Sequence, residues 1–242
     1  MTAAAAAPGA DAKADMAAAA PGADAQSDTA VAANDADTAA GADADAHPAQ
    51  PAQPGQSARS TRSAQADQPA IHLRPAAPED ALCLSVLAMQ VFLDTYCTEG
   101  IRPTVAREVL VTYSQAAFTA ALADAGTRIV VAERAGHLVG FAQVTLGATH
   151  PLAPAGASAE LLRLYVQEPF TGRQLGTALL AAAEQLARSA GATVLWLTPW
   201  VHNHRAIAFY RRRGYADHGL TWFEFEGERH ENRVFARALP PG

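Results

Sequence analysis

The segment Glu160–Ala190, ELLRLYVQEPFTGRQLGTALLAAAEQLARSA, decides the fold. Its start is largely apolar, which predicts a strand over 160–166, and apolar residues repeat at helical spacing over 177–190. A loop that contains Gly172 and Gly176 joins the strand to the helix. The amides of such a loop, together with a helix N-terminus, bind anions. The segment therefore predicts an α/β unit with a candidate phosphate site, although a purely structural glycine turn explains the loop equally well.

Further elements are predicted on both sides of this segment. The continuously apolar run 193–197 predicts a buried central strand, and a short helix runs from an Asn203 cap to Arg213. The remaining predicted elements are strands at 71–76, 128–134, 137–146, 221–226 and 232–238, and helices at 78–96 and 104–124. The resulting order, β-α-α-β-β-β-α-β-α-β-β, predicts an α/β fold of about seven strands and four helices.

Helical periodicity also predicts where some side chains lie. The apolar face of the first helix is expected to consist of Leu82, Val86, Met89 and Leu93. In the helix 177–190, Glu184 and Arg188 are expected to pair at i,i+4 spacing on the outer face. Cys83 and Cys97 lie at opposite ends of the first helix. At 1.5 Å per residue they are about 21 Å apart, so they cannot form a disulfide within it.

The first 70 residues differ from the rest. They contain 29 alanines, nine Asp against three basic residues, and no aromatic residue, Leu or Ile. A segment of this composition cannot bury enough apolar surface to offset roughly 1–2 kcal/mol of backbone entropy per residue. We therefore expect a disordered low-complexity leader over 1–70 and one folded domain over 71–242.

Charge and hydropathy exclude several classes of function. Residues 71–242 hold 15 Arg against 15 Asp plus Glu, so the folded part has no basic field and no nucleic-acid partner is expected. No apolar run reaches the roughly 18 residues of a membrane span, and no basic region precedes the alanine-rich start as in a secretory signal. We expect a cytoplasmic protein with no membrane partner.

Two nucleotide-binding motifs do not fit the glycine loop. A Walker loop needs Gly-Lys-Ser/Thr, whereas this loop continues as Gly176-Thr177 and residues 71–242 contain no lysine. A dinucleotide fingerprint needs Gly-x-Gly-x-x-Gly, whereas the loop offers only Gly172 and Gly176. The loop is therefore either a phosphate site of another kind or a purely structural turn.

Two stretches together carry a family resemblance: LYVQEPFTGRQLGTALL, residues 164–180, and NHRAIAFYRRRGY, residues 203–215. They resemble the GCN5-related N-acetyltransferase (GNAT) superfamily, and the resemblance covers about residues 71–239. It implies the GNAT fold, with a mixed central sheet. It also implies an enzyme that moves an acetyl group from acetyl-CoA to a primary amine by direct attack in a ternary complex.

The resemblance also implies a coenzyme site. Loop amides from Arg173 to Thr177 would hold the pyrophosphate, and the pantetheine arm would lie between strands 163–166 and 193–197. The main-chain N–H of Val166 would polarise the thioester carbonyl. Asn203 matches an asparagine that contacts the coenzyme, although capping its own helix explains it equally well. The implied contacts are Leu164, Val166, Thr171, Gly172, Arg173, Gln174, Leu175, Gly176, Thr177 and Asn203.

The loop departs from the family pattern at two positions. Thr171 stands where Gln or Arg is usual, and Gln174 replaces the first glycine, whereas Gly176 is kept. The Gln174 side chain either points outward without consequence or raises the Kd for the coenzyme.

The resemblance also implies catalytic residues. Tyr210 matches the tyrosine that protonates the departing thiolate, and Glu160 is the best positional match for a general base acting through water. A base is needed because an ammonium group with a pKa near 10 must lose a proton before it attacks. The alternative bases are His150, His202 and His204. Asp94 or Tyr96 is expected to orient a cationic amine.

The acceptor and the assembly stay open. The acceptor is a small-molecule amine, or a protein N-terminus or lysine, and no metal is expected. A non-catalytic acyl-CoA-binding module is the alternative from a different class, and a homodimer stays open.

Overall fold

The structure is a computed structural model that describes residues 70–225 and 228–240. The strands in these ranges are β1 Ile71–Pro75, β2 Thr127–Arg134, β3 His137–Leu146, β4 Ser158–Val166, β5 Val194–Leu197, β6 Ala216–Phe225 and β7 Glu228–Ala238. The α-helices there are α1 Ala81–Tyr96, α2 Pro103–Thr112, α3 Gln115–Ala123, α4 Leu175–Ser189 and α5 His204–Arg212. The predicted leader lies outside the described residues, except for Ala70.

The strands form one mixed sheet in the order β1-β2-β3-β4-β5-β7-β6. β4 and β5 run parallel, and every other neighbouring pair is antiparallel. A parallel pair needs a crossover connection, which α4 supplies. A tight hairpin turn joins β2 to β3, and in it Ala135 and Gly136 have φ values of 50° and 80°, as a type I′ turn requires.

The helices cover the two faces of the sheet. One apolar cluster joins the sheet to α4 and α5, and a second joins it to α1, α2 and α3. Gly140 on β3 lets α4 pack close to the end of β4, because a Cβ there would lie 2.8 Å from the Tyr165 carbonyl oxygen and 3.2 Å from Leu179 Cδ1. The fold thus places β4 in the middle of the domain, buried on both faces.

The second predicted helix, 104–124, is helical but divided. α2 ends at Thr112, and Ser114 begins α3 as its N-cap, with its hydroxyl accepting a hydrogen bond from the Ala117 amide at 3.2 Å. A serine side chain satisfies a helix-start amide in this way, and such a cap favours a new helix over a continued one.

The predicted core face of α1 is wrong for two residues. Leu82 and Val86 are 55% and 60% exposed, whereas Leu84, Leu87 and Val91 are buried. The helix carries apolar residues on nearly all its sides, so periodicity alone did not identify the face that meets the sheet. The two cysteines are free, as predicted.

Glu184 does not lie on an outer face. It is buried, and it accepts hydrogen bonds from the Tyr215 hydroxyl at 3.0 Å and from Arg237 Nη1 at 2.9 Å. The predicted Arg188 pair is also present, at 3.8 Å. Glu184 therefore ties α4 to β7 and to the end of α5.

None of the helices in the described part of the chain combines the length and apolar character that a membrane-spanning helix requires.

Candidate active site

A gap opens between the two parallel strands. β4 pairs with β5 only over Ser158–Glu160, opposite Val194–Trp196, and beyond that point it pairs with β3 alone as far as Val166. The amide of Gln167 donates to the Val139 carbonyl on β3 at 3.0 Å. Because successive amides of an extended chain point to opposite edges, the Val166 N–H points away from β3 and into the gap. This is the donor that the sequence resemblance requires.

The glycine loop follows directly. Gly172 and Gln174 both have positive φ, 73° and 60°, and α4 begins at Leu175. The Gln174 side chain is exposed. Gly176 is buried in the first turn of α4. The loop backbone thus adopts the left-handed conformation that glycine favours, with a glutamine at one of those positions.

An arginine side chain lies next to the glycine loop. Arg213, one residue beyond α5, donates a hydrogen bond from Nη2 to the Thr177 hydroxyl, and its guanidinium lies 5.4 Å from the centre of the Phe209 ring. Sequence reasoning gave Arg213 only a role at the helix end. The position of Arg213 adds positive charge at the start of α4, where an anion is expected.

Asn203 can serve in both of its predicted roles. Its Oδ1 accepts a hydrogen bond from the Ala206 amide at 3.0 Å, which caps α5. Its Nδ2 is buried and has no hydrogen-bond partner among the residues described. An amide side chain carries both an acceptor and two donors, so capping the helix leaves the donors for a ligand.

Tyr210 is fully buried, and its hydroxyl finds no partner within residues 70–225 and 228–240. Burial raises the pKa of this phenol well above its ordinary value, with Tyr215 and Tyr165 adding to the effect. The ring of Tyr215 is 5.5 Å away, but its hydroxyl donates to Glu184. A buried, unpaired hydroxyl is costly unless a ligand completes it. Tyr210 therefore fits a ligand that accepts its proton.

Glu160 lies at the fork of the two strands. It is the last β4 residue in register with β5, opposite Trp196, and it is 8% exposed. Ala159 and Leu161 belong to the cluster under α4 and α5, so strand alternation directs Glu160 toward the α1–α3 face. The carboxylate is therefore buried next to the gap rather than exposed at a strand start.

The three histidines differ. His150 Nδ1 accepts from the Leu152 amide at 3.1 Å, and Nε2 lies 3.3 Å from the Thr221 hydroxyl. Burial lowers the pKa of His150, which favours the neutral ring. Both nitrogens are thus engaged in holding the loop against β6. His202 and His204 are exposed.

A cavity of about 330 Å³ lies at the open end of the gap. Its lining residues are Val91, Asp94, Thr95, Val166, Glu168, Asn203 and Arg205. Asp94, one of the two residues expected to orient an amine, thus lies on the cavity wall. Tyr96 instead packs between the rings of Phe92 and Trp200, at 4.8 and 5.7 Å. A larger cavity of about 780 Å³ lies between α1 and the β2–β3 hairpin, and Gln167 and Phe170 also line it.

Comparison with known protein families identifies the family of this chain. The sequence model of the acetyltransferase (GNAT) family matches residues 95–215, half of the chain. The chain belongs to the GNAT family. Its strand gap, glycine loop and buried tyrosine all lie inside or at the edge of the matched range.

Known GNAT relatives match part of the chain. An "IAA acetyltransferase" of Azospirillum brasilense is 36% identical over 98 residues, 40% of this chain and 60% of that protein. An aminoalkylphosphonate N-acetyltransferase of Salmonella typhimurium is also 36% identical over 98 residues, 40% of this chain and 62% of that protein. The chain thus spans about three fifths of the length of these two relatives.

A solved GNAT structure shares the fold. The PaiA N-acetyltransferase of Thermoplasma acidophilum, in complex with coenzyme A, has a TM-score of 0.55 and is 20% identical. The alignment covers 70% of this chain and 99% of that one.

Sequence reasoning missed one buried charge in this GNAT chain. Arg163 on β4 is 6% exposed, donates to Gln143 Oε1 at 2.8 Å, and lies over the Tyr113 ring at 5.1 Å. Its Nε is buried without a partner in the described ranges. An arginine inside the largely apolar run 161–166 was the available signal, because such a charge is buried only where its surroundings hold it. The described residues contain no group of three or more His, Cys, Asp or Glu that could hold a metal ion.

Proposed function

We propose that this protein is an acetyl-CoA-dependent N-acetyltransferase that acts on a primary amine, with residues 71–242 as its catalytic domain. The observation that carries the proposal is the buried hydroxyl of Tyr210, which has no hydrogen-bond partner in the described part of the chain. It lies on the sheet face that also packs against β4 beyond the point where β4 and β5 separate. The membership of the GNAT family supports the reaction type.

The coenzyme would be held mainly by the main chain. Amides from Arg173 to Thr177 would donate to the pyrophosphate, with Arg213 adding positive charge behind Thr177. Thr171 and Gly172 would shape the start of this loop, and Gln174 would contribute its backbone only, since its side chain is exposed. Leu164 and Val166 would line the gap for the pantetheine arm.

The acetyl donor supplies an activated thioester, and the chain supplies the proton transfers. Glu160 would accept a proton from the acceptor ammonium through water, which frees the nitrogen lone pair. The Val166 N–H would donate to the carbonyl oxygen under attack and stabilise its developing negative charge. The nitrogen would form its bond to the carbonyl carbon and lose its second proton to solvent as the amide forms. When the carbon–sulfur bond breaks, Tyr210 would give its proton to the sulfur and would then regain one from solvent.

Tyr210 suits the role of proton donor through its position rather than through its pKa. A thiol has a pKa near 8.5 and tyrosine one near 10, and burial raises the pKa of Tyr210 further. The phenol therefore stays protonated and ready throughout the physiological range. Its transfer to a thiolate is uphill at equilibrium, so we expect a moderate contribution to the rate.

The acceptor is proposed to be a small-molecule amine. A cavity of about 330 Å³ with Asp94 on one wall suits a small cationic group better than a folded protein surface. The Salmonella relative, which is named for aminoalkylphosphonates, is consistent with a small amine.

Thiol release from acetyl-CoA tests this function. The full chain would be assayed against a panel of polyamines, aryl and alkyl amines, amino acids, aminophosphonates and peptides. We expect turnover with at least one small amine and a product heavier by one acetyl group in mass spectrometry. Binding of acetyl-CoA without turnover on any amine would support the non-catalytic acyl-CoA-binding module instead.

A further inference from the structure

A buried arginine lies on the same face of β4 as Glu160. A β-bulge separates the two, since Gln143 of β3 pairs with Arg163 whereas the next residue, Val144, pairs with Leu161. The extra residue in the bulge lets positions 160 and 163 face the same side, toward α1–α3. Three residues of a strand span at most about 10 Å. Two side chains of opposite charge thus share one short stretch of β4.

The charge of Arg163 has no counter-ion in the described part of the chain. None of the ion pairs there includes it, and Nη1 donates to the neutral side chain of Gln143 at 2.8 Å. The guanidinium also lies 5.1 and 5.9 Å from the ring centres of Tyr113 and Phe118. Aromatic faces attract a cation but carry no net charge. A guanidinium that is only 6% exposed therefore still lacks the anion that buried charges require.

One nitrogen of this guanidinium reaches solvent. Nε is closed off from solvent, and Nη1 is engaged by Gln143. Nη2 is not among the closed-off nitrogens, and it donates no hydrogen bond within the described ranges. An anion that enters from solvent can therefore meet Arg163 at Nη2, in a charge-assisted hydrogen bond.

A row of aromatic rings leads from Arg163 to the loop that follows β5. The Tyr113 ring lies 5.3 Å from Phe92, Phe92 lies 4.8 Å from Tyr96, and Tyr96 lies 5.7 Å from Trp200. Trp200 comes three residues after the end of β5. The row thus connects β4 with the other side of the strand gap, and it offers apolar surface to the carbon skeleton of an acceptor.

We propose that the acceptor is a small amine that also carries a carboxylate or a phosphonate, and that Arg163 binds this anionic group. Nη2 donates to an oxygen of the anion, while the amine gives its proton to Glu160 through water. An amine without an anionic group leaves the guanidinium without a counter-ion. This inference rests on the proposed function and names its substrate class.

Paired acceptors test the proposal in the wild-type chain. The pairs are β-alanine with ethylamine, 2-aminoethylphosphonate with ethylamine, and phenylalanine with 2-phenylethylamine. The members of each pair differ only in the anionic group. In at least one pair, kcat/KM for acetyl transfer should be about tenfold or more higher for the anionic member, as expected for a charge-assisted hydrogen bond.

Arg163→Gln should remove this preference. Its kcat/KM for the anionic acceptor should fall by about tenfold or more, and that for the neutral partner by less than about threefold. The ratio of the two values does not depend on how much of the variant folds, because both are measured on one sample. Arg237→Gln is the matched control, since Arg237 pairs with Glu184 of α4 at 2.9 Å and its loss should leave the ratio unchanged.

The outcomes separate the two proposals. Absence of turnover on every amine overturns both of them. Turnover in which the neutral member is used as well as the anionic one in every pair overturns the role of Arg163 alone, and this result needs no variant. A preference that survives in Arg163→Gln, or an equal loss for both members of a pair, would also contradict it and leave Arg163 as a residue that only stabilises the fold.

Discussion

The two faces of the sheet build the site in different ways. On the α4–α5 face, the main chain provides the functional groups: a strand gap, an inward N–H at Val166, and a loop with positive φ at Gly172 and Gln174. On the α1–α3 face, side chains provide them, among them Glu160 and Asp94. The main-chain groups depend on a few glycines and on the separation of β4 from β5, whereas the side-chain groups depend on which residues α1, α2 and α3 bring together with the sheet.

The largest effect on kcat is expected at Tyr210, the side chain on the α4–α5 face that takes part in the proposed reaction. Tyr210→Phe keeps the ring and removes the proton donor, so kcat should fall ten- to a few hundred-fold, in the lower part of the roughly 10²–10⁴ range of acid catalysis or just below it. The Kd for acetyl-CoA should stay within about threefold. Steady-state kinetics and calorimetry measure both.

Tyr215→Phe is the matched control for that variant. Its hydroxyl already donates to Glu184, so its loss should lower the free energy of unfolding by about 1 kcal/mol and leave kcat nearly unchanged. An unaltered kcat in Tyr210→Phe, with chemistry shown to be rate-limiting, would make solvent the proton source.

The next effect concerns the main-chain anion site. Gly176→Asp should weaken coenzyme A binding tenfold or more, about 1.4 kcal/mol, because it puts a negative charge beside the loop amides. Ala181→Asp adds the same charge to an exposed position of α4 and serves as control. Melting curves would first establish that both variants fold. Equal affinities for the two would place the pyrophosphate elsewhere.

On the α1–α3 face, the stability of the start of α1 should depend on pH. Arg74 bonds both Asp80 carboxylate oxygens, at 2.7 and 2.9 Å, and the Ala77 amide bonds one of them at 2.7 Å. The Arg74 hydrogen bonds, and then the Ala77 amide, hold the pKa of Asp80 below its usual value. The ionised carboxylate therefore stabilises the start of α1 above pH about 4, and this contribution is lost as the pH falls through the lowered pKa.

Asp80→Asn should accordingly cost about 1–2 kcal/mol of unfolding free energy at pH 7. The difference from wild type should shrink below pH about 4, in urea titrations at each pH. A difference that stayed constant down to pH 3 would show that the charge of Asp80 is not what holds the helix start.

The smallest effect is expected at Gln174, the residue of the glycine loop that departs from the family pattern. Gln174 has a φ of 60°, a conformation that costs a non-glycine residue about 1–2 kcal/mol. Gln174→Gly should stabilise the fold by up to about 1 kcal/mol, after the entropy of glycine is counted, and leave coenzyme A affinity equal or slightly higher.

Ala135→Gly offers the same relief outside the coenzyme site, at a φ of 50° in the β2–β3 turn. It should stabilise the chain similarly without any change in affinity. A weaker coenzyme A affinity in Gln174→Gly alone would show that the glutamine side chain contributes to binding.

The two faces of the sheet also differ in how much of their structure could be predicted from the sequence. The β4–α4 unit, the β2–β3 turn and the Asn203 cap follow from local patterns, because glycines, caps and apolar runs act through near neighbours. On this face the positive φ of Gln174 could not be predicted, because glutamine rarely adopts that conformation.

The other face depended on contacts that no local pattern contains. Leu82 and Val86 were expected in the core and are exposed, because α1 is apolar on several sides. Arg163, on this face, received no role, since its partner Gln143 lies on β3. Glu184 shows that the α4–α5 face has such contacts too, because its partner Arg237 lies on β7. Pairings of this kind are set by the tertiary fold and not by spacing along the chain.

Backbone hydrogen exchange of the full chain, with and without coenzyme A, tests the central claim most directly. If the coenzyme lies in the strand gap, amides of 164–177 and 203–210 will exchange more slowly in its presence, and those of the β2–β3 hairpin will not change. Protection confined to 134–139 and the first half of α1, around the larger cavity, would contradict the account.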